Sequence, residues 1–200
     1  MRDATKMGRP REFDETKALA QIMDVFWAKG FEGATLSDLV AATGLKKGSL
    51  YAAFGDKRAM YLKALALYEE TAVDGALDLL QGPGSAKTRI ASFLQAAIDG
   101  DAGRQERRGC FLCNASIDQA GQDPEAERAV KAAFGRLKRA LADALSELAP
   151  YNRHNKRRDA AAQHLISVYV GLRVLAKAGY PPAALTQAKK AALREISGDA

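Results

Sequence analysis

The sequence predicts an all-α protein of about nine helices. Apolar residues recur three and four positions apart in one segment after another, and we find no strand-like alternation and no internal repeat. Hydrophobic residues make up 48% of the 200-residue chain and aromatic residues only 7%, a balance typical of helical globular proteins. A chain of this length can form one or two small domains with a buried core.

A basic arm and one long helix open the chain. Residues 1–13 carry Arg9 and Arg11, and we expect both to lie in a DNA minor groove, whose negative potential attracts arginine. An ordinary disordered basic terminus is the alternative. The first helix is predicted from about Asp14, its N-cap, to Lys29, with Gly30 as its stop.

The stretch TLSDLVAATGLKKGSLYAAF, residues 35–54, predicts two short helices joined by a tight turn. Thr35 and Asp38 form a loose capping box, and Gly44 suits the end of the first of these helices. Leu50 and Phe54 lie four apart on one side of the second helix, whose other side carries Lys46, Lys47, Ser49, Tyr51 and Ala52. A short helix with this composition suits the DNA major groove.

This stretch closely resembles the recognition segment of the TetR family of transcriptional regulators. The shared features are a threonine before the second helix, a glycine in the turn, the pattern K-G-S/T-L-Y-x-x-F and a lysine that opens the fourth helix. The upstream ALAQIMDVFWAKGFEGATL also resembles the family's first helix, so that the resemblance covers roughly residues 10–65. Ala52 and Ala53 depart from it, because the family often has larger side chains there.

The resemblance implies a ligand-responsive regulator, most often a repressor, that binds a palindromic operator as a dimer and is released by a small-molecule effector. We expect Lys46, Lys47 and Ser49, with Gly48 between them, to face the major groove. The predicted phosphate contacts come from the Thr35 and Tyr51 hydroxyls and from Lys57. Lys57 is predicted at a helix N-terminus, where its positive charge is unfavourable to the helix dipole. A bound DNA phosphate would explain a lysine at this position. The alternative is an ordinary solvated lysine.

Six further helices are predicted after the recognition segment, at about residues 57–80, 85–98, 110–119, 124–148, 156–178 and 182–196. They divide the chain into a helix-turn-helix DNA-binding domain with its arm, residues 1–56, and a helical effector-binding and dimerisation domain, residues 57–200. The last two helices are the candidates for the homodimer interface, because they are apolar and carry small residues. Two-fold symmetry would place two reading helices about 34–36 Å apart, one turn of DNA.

Cys110 and Cys113 are the residues with the most reactive chemistry in the chain. Cys110 is predicted at a helix N-terminus just after Arg107 and Arg108, and both features lower the pKa of a thiol. A regulator that senses oxidants or electrophiles through Cys110 is therefore the alternative to reversible effector binding. The structural interpretation is that both cysteines are simply small, buried apolar side chains of the core.

The effector itself is unknown, but an apolar pocket with a few polar groups is predicted between the helices at 85–98, 110–119, 124–148 and 156–178. Its candidate lining residues are Phe93, Cys110, Phe111, Cys113, Asn114, His164, Tyr169 and Arg173. His164 has a second interpretation as a hydrogen-bonded core histidine.

Several other classes of protein have little support. No nucleophile–base pair, phosphate-binding glycine loop or paired carboxylate motif indicates an enzyme, and no cofactor or metal is expected, because the cysteines lack a second ligand pair. No apolar run reaches the ~20 residues of a membrane span, and no signal peptide is recognisable. Two cysteines in the chain suit a reducing cytoplasm, and the net charge of +6 permits nucleic acid as a partner.

Overall fold

The computed structural model describes residues 13–100 and 107–197, and in this part of the chain every regular element is helical. The all-α prediction is therefore confirmed. Residues 57–81 form one continuous helix, α4, built of three segments, Lys57–Tyr68, Glu69–Val73 and Asp74–Gln81. The remaining helices are α1 Glu15–Gly33, α2 Leu36–Thr43, α3 Lys47–Phe54, α5 Ala86–Asp99, α6 Phe111–Asp118, α7 Pro124–Leu145, α8 Asn155–Lys177 and α9 Pro182–Ser197.

Helices α1, α4, α5 and α7 begin at side-chain N-caps, among them the predicted Asp14 of α1. Asp14, Asp56, Ser85 and Asp123 each accept hydrogen bonds from backbone N–H groups in the first turn, at 2.8 to 3.3 Å. These side chains satisfy donors that have no partner inside a helix, and they fix where α1, α4, α5 and α7 begin.

Two helix ends differ from the prediction. Gly30 does not end α1 but breaks it, with φ 72° and ψ 175°, and the helix resumes as far as Gly33. Helix α7 ends at Leu145 rather than at about Leu148, because the backbone then forms tighter turns in which each N–H donates three residues back.

An aromatic cluster joins α1, α4 and α6. The Tyr61 ring meets Phe26 and Phe111 edge-on, with centroids 5.2 and 5.6 Å apart. Tyr68 in turn meets Phe111 at 5.8 Å and Trp27 at 5.0 Å. The buried side chains form one core that runs from α1 to α9. The predicted boundary at residues 56 and 57 thus falls at the N-cap of α4, beside a core shared by both halves.

Two sets of ion pairs reinforce these contacts near the surface. Arg58 at the start of α4 donates to both carboxylate oxygens of Asp123, at 2.5 and 2.8 Å, and to Glu125 at 2.9 Å. Arg108, just before α6, donates to Asp24 of α1 at 2.7 Å. The Arg58 guanidinium lowers the pKa of the Asp123 carboxyl to about 2. No helix of the described residues has the length and apolarity needed to cross a bilayer.

Candidate nucleic-acid interface and buried thiol cluster

The turn between α2 and α3 has the left-handed geometry that the sequence predicts. Gly44 adopts φ 67° and donates its N–H to the carbonyl of Val40 at 2.9 Å. The Thr43 hydroxyl donates to the Leu39 carbonyl and accepts from the N–H of Leu45, at 2.7 and 3.3 Å. Because these contacts fix the angle between the helices, α3 is presented in one orientation.

The capping box at the start of α2 is confirmed. The Thr35 hydroxyl accepts from the Asp38 N–H at 3.2 Å, while the Thr35 hydroxyl and N–H donate to Asp38 Oδ2 at 2.7 and 2.9 Å. Lys29 donates to Asp38 Oδ1 at 2.5 Å, and chiefly this contact lowers the pKa of the Asp38 carboxyl. Both Thr35 donors are thus engaged, and the predicted phosphate contact must compete with Asp38.

One side of α3 packs inward and the other faces solvent, as the spacing predicts. Leu50 and Phe54 are buried, and the exposed side, which we call the reading face, consists of Lys46, Lys47, Gly48, Ser49 and Tyr51. No side chain caps α3, and its first turn holds no acidic residue. Free N–H groups beside two ammonium groups make this helix end attractive to an anion such as a DNA phosphate.

The other predicted DNA contacts stand on less structural evidence. Lys57 is half-buried, with Nζ 4.7 Å from the centre of the Phe31 ring, so part of its charge interacts with that ring. Its phosphate contact stays a prediction. Arg9 and Arg11 lie outside the described residues.

A second set of functional candidates is assembled inside the molecule. The thiol cluster consists of Cys110 and Cys113 at the start of α6, Tyr68 of α4, and Tyr169 and Arg173 of α8. Both thiols are buried. The Arg173 guanidinium donates to the Tyr68 hydroxyl at 3.2 Å and lies 5.9 Å from the centre of the Tyr169 ring.

The thiol cluster favours a charged sulfur at Cys110. A hydrogen bond from the Cys113 thiol lowers the pKa of Cys110, and the positive charge of Arg173 and the Tyr68 hydroxyl act in the same direction. The same hydrogen bond raises the pKa of Cys113, because Cys113 is the donor. Burial raises the pKa of Tyr169 to about 12, so that this hydroxyl stays protonated.

The cavity beside the thiol cluster is small. Its volume of about 10 Å³ is roughly that of one water molecule. Ala72 and Val73 in its wall belong to the π-helical segment of α4, where Arg136 of α7 donates to Glu69 and Asp74 at 3.0 and 2.6 Å. Short π-helical segments occur frequently at functional sites, and this one lies between the thiol cluster and α7.

The structure brings together six of the eight predicted effector residues and separates the other two. Phe93 stacks on Tyr169 with ring centroids 4.3 Å apart, and Phe111 lies in the aromatic cluster next to Cys110. The prediction that His164 shares this pocket is wrong. It is exposed on α8, with Nε2 3.2 Å from Glu195, because the adjacent Leu165 takes the inward position.

Asn114 also has a different position from the predicted one. Its amide nitrogen donates to the Arg108 carbonyl at 3.1 Å, and its amide oxygen accepts from Lys177 at 2.8 Å. It therefore holds the start of α6 against the end of α8 instead of facing the cavity. Sequence analysis missed Tyr68 and Arg58, since each acts through a residue that is distant in sequence.

An exposed polar helix on a packed three-helix unit, followed by a larger helical half, is the architecture of a helix-turn-helix regulator. Comparison with known proteins gives the family. The model of the bacterial regulatory proteins of the tetR family matches residues 18–64. A cysteine mutant of the TetR family transcriptional regulator CifR, solved with a 26-bp double-strand operator DNA, is 31% identical to this chain. The two superpose with a TM-score of 0.81 over 93% of this chain and 98% of that one. The chain belongs to the TetR family of transcriptional regulators.

Two curated relatives agree with this assignment over part of the chain. The uncharacterized HTH-type transcriptional regulator YezE of Bacillus subtilis (strain 168) is 34% identical over 122 residues, 61% of this chain and 63% of that protein. The HTH-type transcriptional repressor ComR of Escherichia coli (strain K12) is 33% identical over 108 residues, 54% of this chain and 51% of that protein. The chain thus spans less than two thirds of the length of these two relatives.

Proposed function

We propose that this protein is a dimeric repressor that binds a palindromic operator and leaves it when a small-molecule effector binds. The observation that carries the proposal is the reading face, with two lysines, a serine and a tyrosine exposed on a helix whose opposite side is buried. The operator complex of CifR and the repressor name of ComR support it. In this proposal residues 1–56 read the DNA, and residues 57–200 bind the effector and the second protomer.

The reading face divides into two kinds of contact. In this proposal Lys46, Lys47 and Ser49 at the start of α3 face the major groove, where the lysines reach base edges or the flanking phosphates. Tyr51 and Lys57, with Arg9 and Arg11 from the arm, are assigned to the backbone or the minor groove. The backbone contacts would fix the position of α3 on the duplex, and the base contacts would select the sequence.

Dimerisation is assigned to α8 and α9. The outward side of α9 carries the exposed small residues Ala184, Ala188 and Ala191, and α8 presents Val174, 41% exposed, near Gly171. Small side chains let helices of two protomers approach closely. A two-fold axis there would present two reading faces to successive turns of the duplex on one side.

The effector would act through α4. This helix holds α3 at one end, where the Lys63 ammonium donates to the Ala53 carbonyl at 3.3 Å. Near its middle, its π-helical segment contributes Ala72 and Val73 to the lining of the cavity beside the thiol cluster. An effector whose binding displaces α4 would move the reading faces. It can release the operator only by binding the released conformation more tightly.

Selection from a random duplex library tests the operator proposal. The purified protein should enrich sequences with two inverted half-sites whose centres lie about one helical turn apart, and sedimentation should give a dimer. A Lys46→Ala/Lys47→Ala protein should enrich nothing, although its helical content is unchanged. A monomer that enriches no duplex even at low salt would refute the proposal.

A second function is favoured by the thiol cluster: release of the operator by oxidation of Cys110. Its thiolate would attack one oxygen of hydrogen peroxide, break the O–O bond and become a sulfenic acid, while the other oxygen leaves as hydroxide. Peroxide should then release operator DNA from the wild type and not from Cys110→Ser, and a thiol reductant should restore binding. An equal response of the two proteins would exclude this function.

A further inference from the structure

A basic pocket opens at the surface where α1, the segment before α6 and the end of α8 meet. Its lining residues are Trp27, Ala28, Arg107, Arg108 and Lys177, and its volume is about 330 Å³. This is within the range of small-molecule sites and well above that of the cavity at the thiol cluster. None of these five residues belongs to the reading face.

The described lining of the pocket is rich in positive charge. Among its five described residues, three are cations and none is an anion. Arg108 is paired with Asp24 at 2.7 Å, but the Lys177 ammonium contacts the neutral amide of Asn114 at 2.8 Å. The Arg107 guanidinium and the Lys177 ammonium in one concave site repel one another, and an anion beside them would relieve that repulsion.

The rest of the described lining is Trp27 and Ala28, with the Arg108 guanidinium 5.8 Å from the centre of the Trp27 ring. Trp27 is the only tryptophan of the chain, and Ala28 lies next to it. The indole Nε1 of Trp27 is buried and meets no acceptor among the described residues. A ligand with an apolar body beside its negative group would match both halves of the pocket.

We propose that the basic pocket binds a small organic carboxylate and that this is the effector class of the protein. The carboxylate would lie between the arginines and Lys177, since guanidinium groups bind carboxylates through paired hydrogen bonds. Its apolar body would pack on Trp27 and Ala28. This assignment rests on the proposed function as a regulator.

The pocket is connected to both functional regions. Arg108 holds α1 through Asp24, so a carboxylate that competes for Arg108 loosens the segment before α6 from α1. Trp27 contacts Tyr68, which accepts a hydrogen bond from Arg173 in the thiol cluster. A ligand in the basic pocket thus acts on α1 and α4 together, the two helices that hold the reading unit.

Trp27 itself supplies the test. Its fluorescence is titrated with benzoate, with benzamide as the uncharged analogue of the same shape, and with inorganic phosphate. Benzoate should give a saturable change and benzamide none. Arg107→Gln and Lys177→Gln should each raise the apparent Kd for benzoate at least tenfold. The exposed Lys87 of α5 provides the matched control, because Lys87→Gln should leave the Kd unchanged.

Each outcome decides the proposal. No saturable change with benzoate, or an equal change with benzamide, would overturn it. A response to phosphate alone would also overturn it, because the apolar wall would then have no role. Operator affinity is measured separately on the same samples. Loss of benzoate binding with operator binding intact refutes only the pocket, whereas benzoate binding without any operator binding refutes the proposed regulator.

Discussion

The reading face and the thiol cluster differ in how their residues are brought together. The reading face is a local structure: its five residues lie within or directly before one short helix and are exposed because the other side of that helix buries Leu50 and Phe54. The thiol cluster draws Tyr68, Cys110 and Arg173 from three helices. The first depends on the packing of one small unit, whereas the second depends on the whole core.

This difference determines how each region responds to change. A substitution on the reading face should alter DNA binding and leave the fold intact, because these side chains are exposed. A substitution in or near the thiol cluster alters a core that also holds α1 and α4. The aromatic cluster is the link, since Phe111 follows Cys110 directly and contacts both Tyr61 and Tyr68.

The largest expected effect comes from removing that link. Phe111→Ala should lower the free energy of unfolding by about 3–5 kcal/mol, because Phe111 is 1% exposed and its loss leaves a cavity. Urea unfolding followed by Trp27 fluorescence and by helical circular dichroism measures this change. Ile117→Ala on the same helix is the control and should change it by less than about 0.5 kcal/mol, since Ile117 is 77% exposed. Equal stability of the two variants would show that the halves are less connected than the shared core implies.

A smaller effect, confined to DNA binding, is expected on the reading face. Lys47→Ala should lower the slope of log Kd against log salt concentration by about one for each protomer if Lys47 contacts a phosphate. Fluorescence anisotropy of a labelled operator between 50 and 300 mM salt, about the range in which such slopes are linear, measures it. The exposed Lys87 on α5 is again the control, with Lys87→Ala leaving the slope unchanged. Weaker binding with an unchanged slope would assign Lys47 to base reading.

The smallest effect concerns the ion pair that joins the two halves at the surface. Arg58 lowers the pKa of Asp123 to about 2, against about 3.9 in an unfolded chain. The contribution of the pair to stability is therefore complete above about pH 5 and is lost as the pH falls towards 2. Thermal unfolding of the wild type and Arg58→Ala should differ most near pH 6 and converge near pH 2. A constant difference over this range would mean that Arg58 stabilises the fold through packing alone.

The reading unit could be predicted in detail because its determinants lie within a few residues of one another. The capping box of Thr35 and Asp38, the left-handed Gly44 and the spacing of Leu50 and Phe54 each fix the local backbone. These patterns also carried the resemblance to the TetR family. The fold class followed from the same kind of local evidence.

The thiol cluster could be predicted only in part. The two cysteines lie three residues apart at the start of α6, but their partners depend on the rotation of α4 and α8 about their axes. A rotation of about 100° separates neighbouring residues on a helix, and this decides that Leu165 is buried and His164 exposed. The π-helical segment of α4 also changes the rotational position of the side chains around the helix axis, and no sequence pattern in residues 69–73 predicts this segment.

The near absence of free volume beside Cys110 has a kinetic consequence. A molecule larger than water can reach the buried thiol only after residues that line this cavity have moved, so its observed reaction rate should level off at the frequency of that movement. The surface site beside Trp27 imposes no such limit, and occupancy there should rise in proportion to ligand concentration at early times. In stopped-flow measurements, the observed rate should therefore level off with rising compound concentration for the buried thiol and should rise linearly with it for the site beside Trp27.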